Sequence, residues 1–204
     1  YTDRYICVVR NPEYTKNLII SKASSIFNIK GYRGTSISDI TKATGMTKGA
    51  IYGNFENKDE LAVAAFEASI AKILNQLRAL ISGQPTAPLK LKALIAYYSE
   101  YIENPPVNGG CPIINTSVEA DDDYPLLRLK VVNTITMIKD SVKKIITRGI
   151  LENQINQQVN AELYATTFYA TIEGAILMSR IEGSNRSFEI IRQGLEMQIN
   201  AIAI

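Results

Sequence analysis

Residues 34–61 read Gly-Thr-Ser-Ile-Ser-Asp-Ile-Thr-Lys-Ala-Thr-Gly-Met-Thr-Lys-Gly-Ala-Ile-Tyr-Gly-Asn-Phe-Glu-Asn-Lys-Asp-Glu-Leu. The stretch holds three helix starts and one tight turn. Ser36 followed by Asp39 is a capping-box pair, which starts a helix at Ile37. Gly45 takes the positive φ that ends this helix and turns the chain. Thr47 caps a second short helix, and Asn57 with Glu60 three residues on caps a third. Ile37, Ile40, Met46, Ile51 and Phe55 supply the apolar contacts that lock the two short helices at a steep angle. This is the punctuation of a helix-turn-helix, a unit that presents its second helix to the DNA major groove.

Working outward, nearly every segment reads as helix. Ile19, Ala23, Ile26 and Phe27 mark one face of a helix from about Glu13 to Lys30, ended by Gly31. Downstream of Asn57 a long helix runs from Lys58 to about Ile81, striped by Phe66, Ile70, Ile73, Leu77 and Leu80. Ser82-Gly83-Gln84-Pro85 stops it. Further helices are expected at about Leu89–Glu103, Ile113–Ala120, Leu126–Leu151, Asn160–Ile181 and Phe188–Ile202, separated by Pro-, Gly- and Asp-rich turns. No segment alternates as a strand would. The expected fold is all-α with about nine helices: a helix-turn-helix domain at 13–58, then a helical regulatory and dimerisation domain at 59–204.

The net charge of +2 hides an asymmetry. Residues 1–58 carry nine Lys/Arg against four Asp/Glu, while the remainder is mildly acidic. A basic head on a body that does not bind nucleic acid has this distribution. The chain contains no histidine, which removes Ser-His-Asp and Cys-His catalysis and the commonest metal ligand together. No enzyme, cofactor or metal site is expected. Glu119 with Asp121, Asp122 and Asp123 matches a metal site in composition only, since the Gly and terminal Glu of a calcium loop are missing. Cys7 and Cys111 make no disulfide framework, Tyr1–Pro12 lacks the pattern of a secretory leader, and no apolar run is long enough for a membrane span. The expected compartment is the cytoplasm.

The spaced residues Gly31-Tyr32, Thr35-Ser36-Ile37, Asp39-Ile40, Ala43, Gly45-Met46, Lys48-Gly49-Ala50-Ile51-Tyr52, Phe55, Lys58 and Leu61 resemble the N-terminal domain of the TetR family of bacterial transcriptional regulators. Gly109–Asp122 is similar to a segment of one branch of that family. The resemblance implies a homodimeric repressor with a ligand-gated C-terminal half. Gly53 and Asn54 depart from the family's frequent pattern, in which an aromatic and then His or an aromatic follow the Tyr. This departure bears on which operator is read.

The first turn of the second short helix, Lys48, Gly49 and Ala50, is where side chains reach base edges. Lys48 suits guanine acceptors, and the two small residues permit close approach and contact with thymine methyls. Thr35, Ser36 and Thr47 at helix starts suit phosphate oxygens, although capping alone also explains them. Tyr52 is expected to reach phosphate through its hydroxyl, and Asn54 to read adenine or phosphate. Lys58 matches a family position that touches phosphate.

Single helix-turn-helix units read too few base pairs, so a two-fold dimer on palindromic double-stranded DNA is expected. The two C-terminal helices are the expected interface, with Leu163, Phe168, Ile172 and Leu195 beside the small Gly174, Ala175 and Gly194; the alternative is that these stripes face only their own core. By resemblance the central helices enclose a pocket for a small, mainly apolar inducer. Its expected lining is Tyr97, Tyr98, Tyr101, Cys111, Asn115, Phe168, Glu173 and Met178. Cys111 in a Gly-Gly-Cys-Pro turn has two readings, an electrophile sensor at a helix N-terminus or a buried small hydrophobe. The rival function is a ligand-independent architectural or tethering protein with the same head; an enclosed cavity favours the regulator and a closed core favours the rival.

Overall fold

The computed structural model describes residues 12–204, except for the side chains of 121–123. The readings made on Tyr1–Asn11 and Cys7 lie outside the described residues, as do those on the side chains of the three aspartates, whose backbone forms the end of a helix rather than the expected inter-helix turn. Among the described residues nine helices follow in order: α1 (Pro12–Gly34), α2 (Ile37–Thr44), α3 (Lys48–Tyr52), α4 (Lys58–Ser82), α5 (Ala87–Glu103), α6 (Pro112–Asp123), α7 (Pro125–Leu151), α8 (Ala161–Glu182) and α9 (Arg186–Ile202). No strand occurs among the described residues; one isolated bridge pairs Ile155 with Ala203 and ties the C-terminus to the α7–α8 turn. No helix among them is long and apolar enough to cross a membrane.

The caps form as the sequence directs. The Asp39 N–H donates to Ser36 Oγ at 3.1 Å, and the Ser36 N–H donates to Asp39 Oδ2 at 2.8 Å, so two free helix-start groups are satisfied reciprocally. Gly45 sits at φ 68° and closes α2. Thr47 accepts the Ala50 N–H at 3.2 Å, and Asn57 accepts that of Glu60 at 2.8 Å. Several boundaries differ from the expectation, among them the end of α6, which runs on to Asp123, and the start of α9 at Arg186. Thr86, not the stretch before Leu89, caps α5, so that helix begins at Ala87 with Pro88 in its first turn. Gly31 breaks α1 with φ 75° and ψ 171°, but the chain resumes helical geometry and runs on to Gly34.

Two apolar clusters share α4. Ile19, Ala23, Ile40, Ile51 and Phe55 close the head around Leu61 and Ala65 of α4. Ala62, Phe66, Ile70, Ile73 and Leu77, on the adjoining face of the same helix, belong to the body with α5 to α9. Fully burying such a side chain contributes about 1.5–3 kcal/mol, so both clusters hold α4 firmly. Leu80, expected on the same stripe, is exposed near the end of the helix.

Candidate DNA-reading surface and regulatory core

On the head, α2 and α3 leave Lys48, Gly49 and Tyr52 open to solvent, while Ile51 between them is buried and fixes the helix. The Lys48 ammonium lies 5.8 Å from the Tyr52 ring centroid, one turn along α3, so a cation and a phenol share one exposed face. Ala50 is half-buried beside them. Ser36 and Thr47 are exposed at the starts of α2 and α3 with their oxygens engaged in capping. Lys30 pairs with Asp39 at 2.7 Å, and with the Ser36 bonds this holds the Asp39 carboxyl well below the usual carboxylate range.

Three expected DNA contacts are placed differently. Thr35 is buried and its hydroxyl donates to the Gly31 carbonyl at 2.6 Å; it braces the break in α1 rather than facing outward. The Asn54 amide donates to the Ala50 carbonyl at 2.9 Å, which satisfies the end of α3. Lys58 is half-buried, with its ammonium 4.1 Å from the Tyr32 ring centroid, and this burial lowers its pKa. Tyr32, part of the motif but not among the expected DNA contacts, organises this corner. It stacks on Phe27, tilts against Tyr124 at 4.1 Å, and donates its hydroxyl to the Asp59 carboxylate.

The head meets the body through α1 and α6. Glu119 accepts the N–H groups of Tyr32 and Arg33, which the break at Gly31 frees from the helix ladder. A Cβ on Gly31 would come within 2.0 Å of the Glu119 carboxylate, so glycine is needed there for space as well as for its positive φ. Asn28 donates to the carbonyls of Asn108 and Gly110 at 2.8 Å, and Asn115 donates to those of Asn28 and Gly109. Arg180 of α8 reaches Asn115 at 2.7 Å. Asn115 is therefore a strut between head and body, and it does not border the larger cavity between α4, α5, α7 and α8.

The body contains a cavity of about 410 Å³ between α4, α5, α7 and α8. That size suits a small ligand. Of the expected lining residues, Tyr98 and Phe168 border it. Met178 does not: it is 47% exposed on the outer side of α8. Tyr97 turns its hydroxyl to Gln76 at 2.9 Å, and burial pushes its pKa up to about 12. Tyr101, Cys111 and Glu173 pack together in the adjoining core. The Tyr101 hydroxyl donates to Gly110, and the Cys111 thiol to Glu173 Oε1 at 3.7 Å. Burial and the Glu173 carboxylate push the thiol up, so the helix start does not activate it and the buried-hydrophobe reading holds. Burial likewise raises Glu173, whose Oε2 and the nearby Tyr169 hydroxyl lack hydrogen-bond partners. Of the cavity residues absent from the expectation, Leu74 and Leu77 lie on a helical stripe that looks like ordinary core in sequence, and Arg78, Met137 and Ser141 are exposed positions with no signal of their own.

The C-terminal helices divide the expected interface residues. Phe168, Ile172, Ala175 and Leu195 are buried within this chain's own core. The uncovered face is another stripe: Leu163, Gly174, Leu177 and Ile181 on α8, with Ile190, Gly194 and Met197 on α9. Ile181 is 79% exposed and Met197 71%, and a Cβ at Gly174 or Gly194 would meet nothing within 4 Å.

Residues 19–65 match the family model of bacterial regulatory proteins of the tetR family, and residues 87–195 match that of the tetracyclin repressor-like C-terminal domain. A TetR transcriptional regulator from Chloroflexus aurantiacus superposes with a TM-score of 0.91 at 34% identity, over 95% of this chain and 98% of that one. A TetR-family regulator from Cytophaga hutchinsonii gives 0.86 at 33% identity over 95% and 96%. Similarity also extends to the HTH-type transcriptional repressor DhaR of a Mycobacterium species, 25% identical over 90% of each chain. The all-α order, the helix-turn-helix and both matched halves agree: the chain belongs to the TetR family of bacterial transcriptional regulators, DNA-binding proteins and not enzymes.

Proposed function

We propose that this regulator represses transcription as a homodimer on a palindromic operator and is released when a small, mainly apolar ligand enters the cavity between α4, α5, α7 and α8. The observation that carries the proposal is the span of α4. Its first turns lie in the head's core through Leu61 and Ala65, and its far end borders the cavity through Leu74, Leu77 and Ile81. A ligand that shifts α4 changes the position of α3 in the groove, and one that favours the released conformation by roughly 10²- to 10⁴-fold moves the population. On this reading the head ends within the first two turns of α4, somewhat beyond the 58/59 boundary expected from sequence. Lys48, Gly49, Ala50 and Tyr52 form the groove-facing surface; Ser36, Thr47 and Lys58 flank it at helix starts.

The bare apolar stripe on α8 and α9 supports dimerisation there, since a contiguous exposed apolar surface marks an interface. The cavity weighs against the ligand-independent architectural reading. The compartment on this reading is the cytoplasm, where the operator DNA is. Footprinting on DNA flanking the regulator's own gene, with and without apolar compounds, tests the proposal. A protected palindrome that loses protection on ligand addition is the expected result; protection indifferent to every ligand that binds the cavity would overturn the gating.

A further inference from the structure

The cavity between α4, α5, α7 and α8 is asymmetric in chemistry from mouth to floor. Leu94, Phe168 and Ile172 at the floor are buried and uncharged. Arg78 from α4 and Lys144 from α7 border the cavity and are exposed, with the exposed Ser141 beside them. Among the described residues no Asp or Glu borders this cavity. Neither Arg78 nor Lys144 forms an ion pair with a described residue. Unpaired cations beside a low-dielectric opening focus their field on whatever occupies it.

We infer that the ligand is an amphiphile with one anionic head: its apolar chain lies on the floor, and its head sits at the mouth between Arg78 and Lys144. This rests on the reading of the cavity as the regulatory site. The chain gains about 25 cal/mol per Å² of apolar surface removed from water, which any apolar compound shares. The head supplies the discrimination. An anion gains charge-assisted hydrogen bonds from the Arg78 guanidinium and the Lys144 ammonium, a neutral head gains little, and a cation is repelled. Glu173, in the adjoining core, does not border the cavity, and burial favours its neutral form, so it does not offset the two cations.

The test is calorimetric titration of the full chain with three probes of equal chain length, each below its micelle concentration: decanoate, decanol and the decyltrimethylammonium ion. Decanoate should bind at least ten-fold more tightly than decanol, with a preference that shrinks as salt is raised. The double variant Arg78→Gln with Lys144→Gln should bring decanoate down to the affinity of decanol and leave decanol unchanged. Both positions are exposed, so the variant should keep the wild-type fold. Equal binding of decanoate and decanol, or tightest binding of the cation, overturns the anionic head and leaves the cavity as a ligand site. Failure of all three probes to bind removes both readings. Decanoate binding undiminished in the double variant places its site elsewhere and also overturns the inference.

Discussion

The Glu119 carboxylate on α6 accepts the Tyr32 backbone N–H at 2.5 Å, capping the broken end of α1 from 87 positions away in sequence. One side chain of the body thus completes a helix of the head. With Asn28, Asn115 and Arg180 it makes the joint polar and specific, so the two halves meet in one geometry rather than sliding on an apolar seam.

Glu119→Ala should therefore destabilise the whole chain by about 1–3 kcal/mol in urea unfolding, because the N–H groups of Tyr32 and Arg33 lose their acceptor in a partly buried place. Glu119→Gln, which keeps an acceptor, should recover most of the loss. A wild-type midpoint for the alanine variant would show that the cap is inconsequential.

Lys48→Ala should weaken operator binding by about 1–3 kcal/mol in a gel-shift or anisotropy titration while the circular dichroism spectrum stays as wild type, since Lys48 is exposed at the first position of α3. Lys58→Ala should behave otherwise. Its side chain packs on Tyr32, so thermal stability should fall along with DNA affinity.

Cys111 should resist alkylation. In a Cys7→Ser background at pH 7.5, N-ethylmaleimide should label the native chain far more slowly than the same chain in urea, because the thiol is buried and its pKa is raised, which keeps it protonated. Labelling at equal rates in both states would restore the sensor reading.

Glu173 makes stability depend on pH in a defined direction. Burial raises its folded pKa above the unfolded value, so between the two values the folded state holds more protons than the unfolded one. Stability from this group is full below the ordinary glutamate range, falls as pH rises through the window, and is flat above the folded pKa. Glu173→Gln removes that dependence. The difference in urea stability, variant minus wild type, should grow from pH 4 towards pH 8; a constant difference would mean that the carboxyl is not strained by burial.

Ile181→Glu or Met197→Glu should convert a dimer into a monomer in light scattering at micromolar concentration, with the helical content retained. These side chains touch solvent in the single chain, so only an interface would be damaged. Unchanged dimer mass in both variants would move the interface off α8 and α9.

Much of this molecule was legible because its signals are local. Ser36 with Asp39, Gly45, Thr47 and Asn57 act within four residues of themselves, so a cap or a left-handed turn is written next to the helix that it ends. The order of nine helices followed from spacing, and the assignment of the head followed from the caps together with the charge split. Phe168, Ile172 and Leu195 show the limit: their spacing proves a buried face but does not say whether the cover is this chain or a second copy. Met178, expected at the cavity, faces outward for the same reason.

The sequence by itself determined an all-α regulator with a DNA-reading helix-turn-helix at residues 34–61. Only the tertiary structure decided that Thr35 turns inward, that Lys58 rests on Tyr32, that Glu119 caps α1, and that the cavity lies against α4 and α7. Each of those depends on which side chains distant segments bring within a few ångströms. Periodicity fixes a face but not its neighbour, and the neighbour sets burial, charge and hydrogen bonding.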